Sequence, residues 1–234
     1  MNTNQSEIDQ RLIDASQKGD VMAVELLIKP RANIHAEDGE ALCMASEGGH
    51  IEVVKTLLKA GADVHVREDA PLRWAVENGH AEVVKTLIEA GADVHAEDEE
   101  ALMIAISERF VDIVKMLLDA GADVNAQSGY ALTTAAYKGH TEIVKALLSA
   151  NVGLDIHAEY DKALRYASEN GHADIVKMLL NAGADVSAED NDALRMASQK
   201  GHAEVVKILL EAGADVRANF LNPAMKNRSR LINC

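Results

Sequence analysis

Histidines and carboxylates are the side chains with most chemistry to offer in this 234-residue chain, which has nine of the first and 38 of the second. Five histidines, His50, His80, His140, His172 and His202, each follow a glycine. Four more, His35, His65, His95 and His157, each stand two residues after Asn33, Asp63, Asp93 or Asp155. Neighbours in either set are about one structural unit apart, roughly 10 Å for packed helices. Zinc ligands must lie about 2 Å from a shared ion. The spacing therefore predicts structural histidines, with no metal and no cofactor site. The carboxylates cluster as Glu37, Asp38, Glu40; Glu68, Asp69; Glu97, Asp98, Glu99, Glu100; Glu159, Asp161; and Glu189, Asp190, Asp192. Paired acids do proton-transfer chemistry when burial separates their pKa values. These recur without a unique pair, on what reads as an exposed row. No nucleophile–base pair, no G-x-x-x-x-G-K-[ST] and no G-x-G-x-x-G stands out. The chain reads as a binder rather than an enzyme, with no catalytic residues.

The elements that position these groups are repeated. Gly49-His50-Ile51-Glu52-Val53-Val54-Lys55 recurs from 79, 139, 171 and 201, and Arg109-Phe110-Val111-Asp112-Ile113-Val114-Lys115 fills the gap; the steps are 30, 30, 30, 32 and 30 residues. A period of this size marks a solenoid whose units bury their faces on neighbours. In residues 91–120, Gly91-Ala92-Asp93-Val94-His95 is a turn with glycine where a helix must stop. Acids precede a short helix, Ala101-Leu102-Met103-Ile104-Ala105-Ile106, and favour its positive end. After the connector, Ile113, Val114, Leu117 and Leu118 form an apolar stripe at helical period. Seven such helix pairs are predicted, over 8–29, 41–60, 71–90, 101–120, 131–150, 163–182 and 193–212. Residues 1–218 form the array, with a polar capping repeat over about 1–35. Residues 219–234 are a basic cap or tail in which 223–231 could close the stack as a helix. The insertion Asn151-Val152 falls in a loop.

Net charge is −15; the tail holds Lys226, Arg228 and Arg230 without acid, which leaves 20 basic against 38 acidic residues in the body. Such a body disfavours nucleic acid and anionic membrane as partners. The polar N-terminus has no apolar signal core, and no run reaches membrane-spanning length. Cys43 and Cys234 lie too many repeats apart for a disulfide. An intracellular, cytoplasmic monomer is expected.

Gly-His-x-Glu-Val-Val-Lys-x-Leu-Leu-x-Ala-Gly-Ala-Asp-Val resembles the ankyrin repeat, and Gly121-Ala122-Asp123-Val124-Asn125-Ala126 matches the end of that motif. The resemblance covers about residues 8–218. It implies an all-α ankyrin-repeat solenoid, connector histidines that staple neighbouring loops, and binding of a protein partner in a groove formed by the short helices. The period is 30 rather than 33, and Ala70-Pro71-Leu72-Arg73 is the nearest match to the usual Thr-Pro-Leu-His. The deficit falls where the family builds its β-turn finger, so the finger is expected to shrink to a tight turn. The compact units look like the ankyrin proteins of giant DNA viruses of amoebae, which would make the chain host-directed and place it in host cytoplasm.

Where repeats disagree, packing constrains least. One short-helix position reads Met44, Trp74, Ile104, Thr134, Tyr166, Met196; one turn on it reads Glu47, Glu77, Ser107, Tyr137, Glu169, Gln199. Residues three apart share a helix face, so both rows should line the concave groove. Trp74, Tyr137 and Tyr166 are the expected anchors, because aromatics dominate interface hot spots. Phe110, Tyr130 and Tyr137 form a second candidate patch, where repeats four and five depart from the pattern. The acidic edge (Glu68, Asp69, Glu97 to Glu100, Glu189, Asp190, Asp192) has three readings: helix capping and solubility, a rail for a basic protein, or a DNA-mimicking decoy that sequesters a nucleic-acid-binding protein.

Overall fold

A computed structural model describes residues 3–29, 32–150 and 153–215. Pro30-Arg31, the insertion Asn151-Val152, Cys234, the end of the array from 216 and the basic tail, with its expected closing helix, lie outside the described residues. Those described form fourteen helices and no strand. They group into two compact units, Met1–Asp123 and Val124–Cys234. The first unit holds α1 (Thr3–Gln17), α2 (Val21–Ile28), α3 (Ala36–Glu47), α4 (Ile51–Lys59), α5 (Val66–Glu77), α6 (Ala81–Glu89), α7 (Ala96–Ser107) and α8 (Val111–Asp119). The second holds α9 (Ala126–Lys138), α10 (Thr141–Ser149), α11 (Ala158–Glu169), α12 (Ala173–Asn181), α13 (Ala188–Lys200) and α14 (Ala203–Glu211). Odd-numbered helices carry the exposed short-helix face; even-numbered ones close each pair.

Burial follows the periodic positions. Leu42, Leu72 and Leu102 in the first unit and Leu132, Leu164 and Leu194 in the second are the short-helix leucines, all buried. Alanines beside them (Ala41, Ala45 and their equivalents) let neighbouring backbones approach closely. Val53, Val54 and Leu57 on α4, and the same triplet on each later even helix through Leu179, complete the two cores. Each fully buried leucine contributes about 1.5–3 kcal/mol.

Helices α3, α5, α7, α9, α11 and α13 begin five residues before the expected starts, because the turn entering each of them winds the other way. Glu37, Asp38 and Gly39 have φ of 48, 51 and 74°; Arg67, Glu68 and Asp69 have 50, 56 and 58°; Glu97, Asp98 and Glu99 have 51, 53 and 68°. In the second unit Gln127-Ser128-Gly129, Glu159-Tyr160-Asp161 and Glu189-Asp190-Asn191 repeat the pattern. Three left-handed residues in a row are what remains of the shortened finger. Each non-glycine there costs about 1–2 kcal/mol, least for Asp and Asn, which tolerate positive φ best. The acid-rich composition of these turns is therefore partly conformational. Asp20 caps α2 by accepting from the Ala23 amide at 3.0 Å, whereas His35, His65, His95 and His157, which stand just before α3, α5, α7 and α11, make no side-chain cap hydrogen bond.

In three of these turns the third residue offsets the strain by stapling the next repeat. Asp69 Oδ1 accepts from the Asp93 amide at 2.8 Å, and its carboxylate lies 3.2 Å from His65 Nδ1. Asp161 accepts from the Asp185 amide at 2.8 Å and faces His157 Nδ1 at 3.1 Å. Asn191 accepts from the Asp215 amide at 2.8 Å. Where the third residue is Gly129, Asn125 takes over: its Oδ1 accepts from the Asp155 amide at 2.8 Å and its Nδ2 donates to the Gly153 carbonyl at 3.1 Å.

The connector histidines form a second set of staples, as the resemblance implied. His50 Nε2 donates to the Gln17 carbonyl at 2.9 Å and His80 to that of Glu47 at 2.8 Å. In the second unit His172 reaches the Tyr137 carbonyl at 3.1 Å and His202 that of Glu169 at 2.9 Å. Each ring lies on the glycine of the preceding connector, so that a Cβ at Gly49 would fall 2.6 Å from His80 Nδ1.

Candidate protein-binding face

On α9, Tyr130, Thr133, Thr134 and Tyr137 follow one another at spacings of three, one and three residues, and so share a helix face. On the adjacent α11, Lys162, Tyr166 and Glu169 do the same. Between them lies an open hollow of about 520 Å³, walled by these side chains and by Lys138. The Tyr137 and Tyr166 rings meet edge to face with centroids 5.6 Å apart and planes at 63°, the arrangement the aromatic quadrupole favours. Lys162 Nζ sits 5.7 Å from the Tyr166 centroid and is also paired with the Glu159 carboxylate, which raises the lysine pKa. Tyr130 and Tyr137 are 47% and 50% exposed, so both rings meet solvent even where Tyr137 packs on Tyr166.

The hollow exists because two small residues stand where other repeats carry bulk. Thr133 is the counterpart of Arg73 and Arg165, and Thr134 that of Trp74 and Tyr166. Arg73 reaches across to Glu100 on the next short helix, and Arg165 Nε lies 3.8 Å from Asp192 in the same way. These arginine–acid struts cover the junction between neighbouring short helices. Thr133 and Lys162 cannot form one, and their junction stays open.

The expected site residues divide accordingly. Tyr130, Thr134, Tyr137 and Tyr166 come together at the hollow, with Thr134 buried at its floor. Met196 is half-buried on α13, the next short helix. In the first unit Trp74 on α5 and Ile104 on α7 are half-buried on consecutive short helices. Phe110 has a packing role of its own. It lies in the first unit, against Gly79, where a Cβ would fall 2.9 Å from its ring; it fills the place of a connector histidine. Packing on Gly79 thus occupies the phenylalanine of the expected patch, while its tyrosines, Tyr130 and Tyr137, line the hollow of the second unit.

The acidic edge also divides. Glu68, Glu97, Asp98, Glu189 and Asp190 are exposed, and Glu100 and Asp192 are engaged by the arginines of the struts. Asp69 and Glu99, expected on the exposed row, are buried at 5% and 4%. Glu99 lies 2.5 Å from His95 Nδ1, and this hydrogen bond raises the His95 pKa. Glu97 is hydrogen-bonded to Glu68 of the neighbouring turn and repelled by its charge, which pushes its pKa up.

Sequence reasoning missed Thr133, Lys138 and Lys162 as lining residues, whereas Glu169 stood in a row expected to line the groove. The signal was present in Thr133-Thr134, which stands where the other repeats read Cys43-Met44, Arg73-Trp74, Met103-Ile104, Arg165-Tyr166 and Arg195-Met196. It also missed Tyr160, 73% exposed in a left-handed turn at φ 60°. Among the described residues no cluster of His, Cys, Asp or Glu is placed to hold a metal ion, and no helix is long and apolar enough to cross a membrane.

Paired helices at a fixed period, stapled loop to loop, define a helical repeat protein. A family model described as ankyrin repeats (3 copies) matches residues 12–98, 69–128, 102–190 and 132–220. The chain belongs to the ankyrin-repeat family, whose members generally mediate protein–protein interaction as non-enzymatic scaffolds. Among solved structures, the human ASB11 ankyrin repeat domain superposes with a TM-score of 0.71 at 24% identity, over 87% of this chain and 98% of that one. At that identity the likeness concerns the fold. No curated protein matches the chain at a significant level.

Proposed function

We propose that this protein binds a partner protein on the exposed face of its short helices, with the hollow between α9 and α11 as the anchor point. The observation that carries this reading is the uncovered tyrosine pair, Tyr137 on Tyr166, beside a junction without its arginine strut. Ring faces, two threonine hydroxyls and lysine amines recognise a ligand; they do not turn one over. Met196 on α13 extends the same face, Trp74 and Ile104 stand at the equivalent short-helix position of the first unit, and preformed helices avoid the ordering cost a flexible binder meets. The likeness of the repeat phrasing to ankyrin proteins of amoeba-infecting viruses makes a host protein, met in the cytoplasm, the partner we propose.

Capture from amoebal lysate by the parent chain and by Tyr137→Ala tests the reading. The substitution should weaken retention by about tenfold or more, the scale of a hot-spot aromatic, with modest sensitivity to salt. The decoy reading draws support from the crowding of Glu68 and Glu97. It requires the opposite result: retention indifferent to Tyr137→Ala, steeply lost with added salt, and abolished when the exposed turn acids are neutralised.

A further inference from the structure

The short helices of the two units carry opposite charge. In the first unit the right-handed parts of α3, α5 and α7 hold Glu40, Glu47, Glu77 and Glu100 against Arg73. In the second, those of α9, α11 and α13 hold Lys138, Lys162, Arg165, Arg195 and Lys200 against Glu169 and Asp192. Exposure sharpens the inversion. Asp192, with 14% of its side chain exposed, is engaged by Arg195 and Arg165; Glu169, at 24%, lies 3.7 Å from Lys200. The cations are the members that reach solvent, Arg195 at 46% and Lys200 at 55%, and Lys138 is exposed beside the hollow. A chain of net charge −15 thus presents a locally basic surface around its open aromatic hollow.

We propose that the face of α9, α11 and α13 takes an acidic peptide segment of a partner protein, one apolar side chain of which enters the hollow between Tyr130, Tyr137 and Tyr166. This rests on the short-helix face being the binding surface and names the chemistry that face selects. Carboxylates on either side of the inserted side chain meet Lys138 at the hollow and, on α13, Arg195 and Lys200, the latter 3.7 Å from the hollow-lining Glu169. The apolar side chain stacks on the tyrosine rings, over the two threonines. A nucleic-acid strand fits less well. Its charges repeat every few Å, and Glu159, Glu189 and Asp190 on the turns leading into α11 and α13 would face them. A peptide with a few carboxylates avoids those turns.

The test uses the full chain and three short fluorescent peptides that share a Leu-Phe centre and differ in flanks of Asp/Glu, Lys/Arg or Ser/Gly. Binding is read by anisotropy, with a short oligothymidylate as competitor. The acidic peptide should bind about tenfold tighter than either other peptide, and Tyr137→Ala should weaken it by about tenfold. Lys138→Glu/Lys200→Glu, with circular dichroism to confirm the fold, should shift preference to the basic peptide. Equal or tighter binding of the basic or neutral peptide overturns the proposal, as does displacement by the oligonucleotide or failure of all three peptides to bind. If the basic peptide wins and Tyr137→Ala still weakens it, the charge assignment fails while the binding face stands. If Tyr137→Ala leaves the acidic peptide's affinity unchanged, both fall.

Discussion

Replacing Gly139 by alanine should cost the second unit far more than the same change at Gly201, although the two glycines occupy the same place in their repeats. Their φ values are 74 and 78°, so the conformational penalty of a side chain is shared. That penalty is about 1 kcal/mol or a little more, partly offset by the lower entropy of the unfolded chain. The surroundings differ. A Cβ at Gly139 would lie 2.6 Å from His172 Cε1, whereas at Gly201 it meets no described atom. Displacing the imidazole breaks its bond to the Tyr137 carbonyl, worth about 0.5–1.5 kcal/mol, and overpacks the junction of α9 and α11 by about 1–3 kcal/mol. Gly139→Ala should therefore be about 2–4 kcal/mol worse than Gly201→Ala. Urea unfolding followed by far-UV circular dichroism measures the difference. Amide exchange in α9 to α12 localises it, which matters because repeat arrays lose cooperativity. Adding His172→Ala should recover the overpacking part. Equal costs for the two alanines would refute the view that these glycines are glycine because a ring lies on them.

In the first unit, Arg109→Gly/Phe110→His restores a residue at ease with φ 65° and a donor for the Glu77 carbonyl, and should raise stability by about 1–2 kcal/mol in the same assay. Two turn groups give opposite pH signatures, each read as the difference in stability between parent and variant across a pH series. The raised His95 pKa means stability fully present below the ordinary imidazole value of 6.5 and lost as pH rises through the folded value, so Glu99→Gln should abolish that loss. The raised Glu97 pKa means that its ionisation opposes folding, so Glu97→Gln should be more stable than the parent at neutral pH and the gap should close as pH falls through the folded value. Burial pushes the Cys43 thiol up to about 11, so in a Cys234→Ser background it should resist alkylation at pH 8 until the chain is unfolded; rapid native labelling would contradict its burial.

Period and residue type were enough to read the fold class, the helix pairs, the apolar stripes and the connector histidines, because in a repeat array each unit's buried face is dictated by the identical face beside it. Tyr137 and Tyr166 were legible as candidate anchors, with Trp74, because they occupy rows that packing leaves free to vary; their ring-on-ring contact was not. Tertiary structure decided the rest. The handedness of Glu97-Asp98-Glu99 is set by the need to cross a gap shortened by three residues, a constraint between elements that no local propensity announces. It turned Asp69 and Glu99 from expected surface acids into buried ones, Asp69 stapling the next repeat and Glu99 holding His95. Phe110 became a packing residue because Gly79 leaves room for its ring. The hollow itself is an absence, made where Thr133 and Thr134 fail to fill a junction that arginine and aromatic residues close elsewhere. Such a space belongs to two helices at once, and only their packing reveals it.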